Sequence, residues 1–343
     1  MSCFIIAEAG VNHNGSEVQA MALVDAAAKA GADAVKFQTF NADKLVRPGT
    51  AKAEYQERET GSGDQHSMLR ALELPANAYS RLLGRCNELG IEFMSTPFDE
   101  EAADFLCELG MRRIKVPSGE LTNHPFLRRL AAKRLPLILS TGMSSLDEVV
   151  EAINVIKEAW RLERVEIHPD MLTILHCTSN YPAEPVDVNL RAMQTLGNAC
   201  QLPVGYSDHT EGVAIAIAAV ALGATVLEKH FTLDHGLPGP DHKASLEPEM
   251  FAHMVHEVRI VERALGDGVK QPRSAELPVR DLVRRSITLA RSIKSGQALT
   301  AADLVLLRPG NGIPPKELDK VIGRRAARNI AAGTTLEWDD LQP

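Results

Sequence analysis

Cysteine is scarce in this chain and arranged in no pattern that builds a scaffold. The 343 residues contain five, at Cys3, Cys86, Cys107, Cys177 and Cys200, widely spaced and without a C-x-x-C pair. Such a set excludes a disulfide framework and a zinc knuckle and fits a reducing compartment, so a cytoplasmic location is expected. A basic leader is also missing: the opening MSCFIIAEAG meets Glu8 within a few residues, which is wrong for a signal peptide. No apolar run is long enough for a membrane span. The longest, AIAIAAVALGATVL from Ala214, reads as a buried helix running into a buried strand. Positive charge is in deficit, with a formal net charge of −8 and a pI near 5.8. That excludes a protein that grips nucleic acid or anionic membrane through its overall field. Any anionic substrate has to be met by local cations.

What is present is a rhythm. Short β-rich runs alternate with helical patterns to about residue 265, the signature of βα units around a parallel sheet. Eight runs read as strands: FIIAEAG from Phe4, AVKFQTF from Ala34, EFMSTPF from Glu92, RIKVPSG from Arg113, PLILSTG from Pro136, LTILHCTS from Leu172, LPVGYSDH from Leu202 and TVLEKHFT from Thr225. Between them lie segments such as VQAMALVDAAAKAG and SLDEVVEAINVIKEAW with helical apolar spacing, several closed by a glycine suited to a C-cap. Eight repeats predict an α/β fold, a (β/α)8 TIM barrel over residues 1–265. A doubly wound sheet is the competing architecture, but it needs no count of eight, and no G-x-G-x-x-G follows the first strand. The polar, Gly-, Glu- and Gln-rich insertion from Asn41 to Glu73 reads as a loop above the barrel mouth. Residues 266–282 have the Pro, Gly and charge content of a linker. Residues 283–343 contain an internal echo, ARSIKSGQALTAADL and ARNIAAGTTLEWDDL, which predicts a small, mainly β domain of two similar halves.

In such a barrel the C-terminal ends of the strands face the active site. Those ends carry Glu8, Lys36, Gln38, Thr96, Lys115, Ser118, Ser140, Ser179, Tyr181, Ser207, His209 and His230. Strand ends are often polar simply because they meet water, and one hydroxyl there needs no further reason. Two lysines, two histidines, a carboxylate and several hydroxyls converging together suit an anion site, with Gly119 and Gly142 letting backbone approach the anion. His209 and His230 end neighbouring strands, so both imidazoles can reach one divalent ion that keeps open positions for water and a substrate oxygen. His13, in GVNHNGS, reads equally as a loop histidine fixing a turn. Glu8 is costly inside an apolar strand unless paired or used. A salt bridge to Lys36 and a water-orienting catalytic role are both open, and Asp208 is similarly ambiguous.

With these residues in view, the chain closely resembles the sialic acid synthase family over nearly its whole length. The resemblance is carried by IIAEAGVNHNG, AVKFQTF, KAEYQ, STPFD, IKVPSGE, ILSTGM, LHCTSNYP, GYSDHTEG, EKHFTLD, GPDHKASLEP and RPGNGI. The tail resembles that family's antifreeze-like (SAF, β-clip) domain, which implies a sugar-contacting cap and not ice binding. The resemblance implies a transferase that condenses phosphoenolpyruvate with an N-acetylated amino sugar and water, releasing phosphate. It implies Mn2+, with Mg2+ or Co2+ as substitutes, on His209 and His230, and Glu8 near the reacting carbon. Lys36, Thr96, Lys115, Ser118, Ser140 and Ser207 would bind phosphoenolpyruvate, and Gln38, Tyr181 and Asp241 the sugar. Ser179 stands where some relatives have asparagine. Arg308 would reach the acylamino group from the small domain of a partner subunit, implying a domain-swapped homodimer. N-acetylmannosamine, giving N-acetylneuraminate, is the first expectation for the sugar. The alternative is 2,4-diacetamido-2,4,6-trideoxymannose, giving N,N'-diacetyllegionaminate. A metal-dependent pyruvate aldolase and a non-catalytic sugar sensor are the readings from other classes.

Overall fold

All eight β-rich runs form strands in the computed structural model, which describes residues 2–342. They are β1 (Phe4–Gly10), β2 (Ala34–Thr39), β3 (Glu92–Pro97), β4 (Ile114–Val116), β5 (Leu137–Ser140), β6 (Leu172–Cys177), β7 (Val204–Asp208) and β8 (Val226–His230). Every ladder among them is parallel, and the sheet order is β3-β2-β1-β8-β7-β6-β5-β4. Pairing of β1 with β8 joins the first strand to the last, which an open doubly wound sheet does not do. β3 and β4 share no ladder among the described residues, so the ring is nearly closed.

Local chemistry sets the helix boundaries. The helix Glu17–Lys29 starts where the Ser16 side chain accepts from the Gln19 amide, and Leu146–Leu162 starts with a reciprocal Ser145/Glu148 capping box. The helices Ala76–Leu89 and Glu100–Leu109 stop at Gly90 and Gly110, whose φ of 72° and 102° only glycine adopts without strain. Val149, Ile153, Ile156 and Trp160 bury one stripe of their helix in the layer between helices and barrel. Full burial of such a side chain contributes about 1.5–3 kcal/mol.

A separate cluster, Ile6, Ala34, Met94, Ile138, Leu175 and Val226, fills the ring itself. Side chains two residues apart in a strand share a face. The residues two further on, Glu8, Lys36, Thr96, Ser140, Cys177 and Glu228, therefore form the next layer toward the C-terminal mouth. An apolar floor thus carries a polar storey on the same six strands.

Two expectations need correction. The insertion is not a plain loop: it holds the helices Ala42–Leu45, Glu54–Thr60 and Gln65–Ala71. Asn41 and Asp64 cap two of them, and Met68, Leu69 and Leu72 pack on Val11 and Phe40. The helix Ala214–Ala221 is buried on one face only, through Ala216, Ala219 and Val220. Among the described residues no helix is long and apolar enough to cross a membrane.

A first compact unit ends at Gly266 and a second begins at Asp267. In the second, the helix Leu277–Val283 takes up the end of the stretch read as a linker. It is followed by antiparallel β9 (Ser286–Leu289) and β10 (Leu304–Leu307) over a core that includes Ile287, Leu299, Ile313 and Leu336. The sequence echo is a structural one. The Ala290 and Ala327 amides donate at 2.8 Å to the carbonyls of Asp303 and Asp340. Those two carboxylates pair with Arg291 and Arg328, and a bridge from Ile293 to Ile330 joins the halves. Arg308 is exposed just past β10, where the Pro309 carbonyl accepts from Ser286 Oγ at 2.8 Å.

Candidate active site

Twelve of the expected site residues line one cavity of about 450 Å3 at the barrel mouth: Glu8, Lys36, Gln38, Thr96, Lys115, Ser118, Ser140, Ser179, Tyr181, Ser207, His209 and His230. Asp241 lines an adjoining cavity of about 310 Å3 that shares Gln38, Tyr181 and His230 with the first. Arg308 belongs to the second compact unit.

Lys36 Nζ lies 2.7 Å from Glu8 Oε2 and donates to Thr96 Oγ1 at 2.8 Å. Lys115 Nζ lies 3.3 Å from Glu228 Oε1, and Glu228 Oε2 is 3.7 Å from Lys36. Ser207 Oγ donates to Glu228 at 3.0 Å, and Gln38 Nε2 donates to Glu8 Oε1 at 3.3 Å. Two buried ammonium groups therefore face two buried carboxylates. Burial raises both acids, but the ammoniums of Lys115 and Lys36 overcome it at Glu228 and hold that carboxyl well below the usual range. At Glu8 burial prevails over Lys36, with Glu228 adding to it, and the pKa rises. Lys36 loses by burial, yet Glu228 and Glu8 more than restore its charge. Of the two acids, Glu8 is the one poised to exchange a proton near neutrality.

Around this pair the wall is built for an oxygen-rich ligand. The Gly142 amide donates to Ser118 Oγ at 3.0 Å, and Ser118 Oγ is 3.3 Å from Cys177 Sγ. A Cβ at Gly142 would collide with Ser179 Oγ and stand 2.9 Å from Ser118 Oγ, so a larger residue would push these hydroxyls out of place. Ser140 Oγ is buried with no hydrogen-bond partner among the described residues.

His209 Nδ1 donates to the Thr178 carbonyl at 2.6 Å, which leaves its Nε2 as a lone-pair donor 3.4 Å from Ser207 Oγ. Burial lowers the pKa of both imidazoles, and at His230 the neighbouring His209 lowers it further. Neutral rings 5.4 Å apart, with His230 Nδ1 buried and unpartnered among the described residues, fit a shared cation. No group of three or more His, Cys, Asp or Glu gathers as a metal cage among those residues. The donor set is thus a histidine pair with open positions, not a closed structural site. Tyr181 covers it, its ring 4.3 Å from His209 and 5.4 Å from His230, with Tyr55 a further 5.3 Å out.

The ambiguous residues resolve by direction. Asp208 points out of the ring and pairs at 2.8 Å with Lys229, both wholly buried, and also accepts from the Thr210 amide and hydroxyl. Nδ1 of His13 accepts from the Gly15 amide at 3.0 Å, the turn-fixing arrangement. Glu8 does make the salt bridge to Lys36. Glu228 was missed because only His230 was taken from the end of the eighth run; the two-residue alternation Val226, Glu228, His230 puts it on the site face. Tyr55 lies in KAEYQ, inside the insertion read as a loop.

A nearly closed (β/α)8 ring with a buried lysine pair and a histidine pair at its C-terminal mouth defines an enzyme of the barrel class. A sequence model of the NeuB family matches residues 23–270, and the chain belongs to that family; a SAF domain model matches residues 284–342. The N,N'-diacetyllegionaminic acid synthase of Legionella pneumophila is 54% identical over 343 residues, 100% of this chain and 95% of that protein. The enzyme of the same name from Campylobacter jejuni is 44% identical over 95% of this chain and 96% of its own length. Among solved structures, the N-acetylneuraminic acid synthetase of Leptospira borgpetersenii superposes with a TM-score of 0.71 at 34% identity, covering 81% of this chain and 90% of that one.

Proposed function

We propose that the protein condenses phosphoenolpyruvate with 2,4-diacetamido-2,4,6-trideoxymannose and water, giving N,N'-diacetyllegionaminate and phosphate. Similarity to two proteins bearing that synthase name, at 54% and 44% identity, favours this sugar over the N-acetylmannosamine expected first. The observation that carries the reaction class is the buried cradle: Lys36 and Lys115 flank Glu228, with Thr96, Ser140 and Ser207 around them. The Glu228 carboxylate lies between the two ammoniums, which supports a site that takes anions.

In this reading Lys36 and Lys115 bind phosphoenolpyruvate and stabilise the phosphate as it leaves, where low local dielectric makes their charges count most. Ser118, Ser140 and Ser179 supply hydroxyls to its oxygens. His209 and His230 would hold a divalent ion, Mn2+ by preference and Mg2+ or Co2+ in its place, which supplies Lewis acidity toward the sugar aldehyde. Glu8 takes a proton from the water that adds at C2, and Gln38 orients the carboxylate by its 3.3 Å hydrogen bond. Tyr181 keeps bulk water off the histidines, and with Gln38 and Asp241 it contacts the sugar. Arg308 of a second copy completes the acylamino contact in a domain-swapped homodimer.

The test is a product-mass assay with Mn2+, phosphoenolpyruvate and a panel of acylamino sugars. The diacetamido trideoxy sugar is expected to give the highest kcat/KM and a product of the mass of N,N'-diacetyllegionaminate. Preference for N-acetylmannosamine would overturn the sugar. Absence of product from every sugar would overturn the synthase reading.

A further inference from the structure

The adjoining cavity differs in character from the lysine-lined one. The two share Gln38, Tyr55, Gln56, Gln65, Phe98, Tyr181 and His230, so they form one continuous space. Beyond that shared wall the second is enclosed by Val11, Leu45, Val46, Met68, Leu69 and Leu72. Val11, Met68 and Leu72 are buried and pack together as their own cluster. No lysine or arginine lines this cavity among the described residues. Its glutamines are partly engaged: Gln56 Oε1 accepts from the Ala53 amide at 3.0 Å, and Gln56 and Gln65 lie 3.4 Å apart. The Asp241 carboxyl stands in the lining too, with its pKa raised by burial.

If the reacting end of the sugar lies between the histidine pair and the lysines, this second space adjoins it past Tyr181 and is where the tail runs. A tail ending in a free hydroxyl could bond only on the side of Asp241 and the partly engaged glutamines, and would lose water against the aliphatic side. A phosphorylated tail would find no cation. Methyl groups gain in the same place. We infer that this cavity, built largely by the 41–73 insertion, is the specificity pocket for the methyl-bearing tail of the substrate: the C6 methyl and the acetyl methyl on N4 of a diacetamido trideoxy sugar. The inference rests on the synthase reading above and deepens it by assigning sugar choice to Val46, Leu69 and their neighbours.

One methylene in a hydrophobic pocket discriminates by about 10–200-fold, which sets the scale of the test. Two half-buried positions are replaced, Leu69→Gln and the near-isosteric Val46→Thr, each checked for folding by its melting temperature. The readout is the ratio of kcat/KM for the diacetamido trideoxy sugar to that for N-acetylmannosamine, measured by product mass, together with KM for phosphoenolpyruvate. Leu69→Gln is expected to lower the ratio about tenfold or more and Val46→Thr to lower it by less, with KM for phosphoenolpyruvate within about twofold of the parent. Should the parent prefer the diacetamido sugar while both folded variants keep its ratio, the pocket assignment alone is wrong. Should the parent make no product from either sugar, the synthase reading fails with it.

Discussion

Replacing Glu228 by glutamine removes the carboxylate that faces both Lys36 and Lys115 while keeping its size and a polar end. At an effective dielectric of about 20, charges 3.3 and 3.7 Å apart attract by about 5 and 4 kcal/mol. Much of that offsets the desolvation of Glu228 itself, and removing one partner of a buried pair costs about 3–5 kcal/mol. For a unit of this size each kcal/mol shifts melting by about 2–4 °C, so Glu228→Gln should melt about 6–20 °C lower in phosphate-free buffer by scanning calorimetry. Inorganic phosphate should restore more stability to the variant than to the parent, because it supplies the missing anion; at a hundred times its Kd a ligand contributes about 2.7 kcal/mol. The pH dependence has a fixed sign. The folded pKa of Glu228 is depressed, so its contribution is present above the ordinary glutamate value and is lost as pH falls toward the depressed one. The gap between parent and variant should therefore close in acid. A variant that melts with the parent in phosphate-free buffer, and gains no more from phosphate, would refute the cradle.

The remaining predictions concern the reaction and the assembly. Glu8→Gln should still bind phosphoenolpyruvate, seen by calorimetry, yet turn over about 10²–10⁴-fold more slowly. In the parent, kcat should rise with pH through about 7, where burial places Glu8; near-normal turnover in the variant would remove Glu8 from the chemistry. Chelation should abolish phosphate release and Mn2+ should restore it, whereas activity in metal-free protein would speak against the histidine pair. Mixing an Arg308→Ala chain with a His209→Ala chain should regenerate activity if Arg308 acts across subunits, and no gain above either parent chain would exclude the swap.

How far the sequence could be read follows from which periods govern each part. The ring was legible because every strand is a short apolar run, and each run becomes a strand of a parallel ladder. The polar storey was largely legible for the same reason: Glu8, Lys36 and Ser140 sit two residues beyond an apolar residue of the floor. Glu228 escaped because His230, one step of the same alternation later, marked the end of its strand. The Asp208–Lys229 pair had no local signal, since it depends on β7 and β8 meeting in register. The second cavity was hidden by composition: residues 41–73 are polar and rich in Gly, Glu and Gln, yet Met68, Leu69 and Leu72 sit at helical spacing and fold that segment back onto Val11.

In the proposed reaction one mouth holds both the lysine cradle and the histidine pair, so that carbon–carbon bond formation, addition of water at C2 and loss of phosphate are successive steps of one turnover. Its most direct test is the stoichiometry of phosphate released to nine-carbon acid formed by the Mn2+-loaded protein. One phosphate per product is expected, and none without sugar. Phosphate released without sugar, or the acid formed from pyruvate with no phosphate at all, would contradict it.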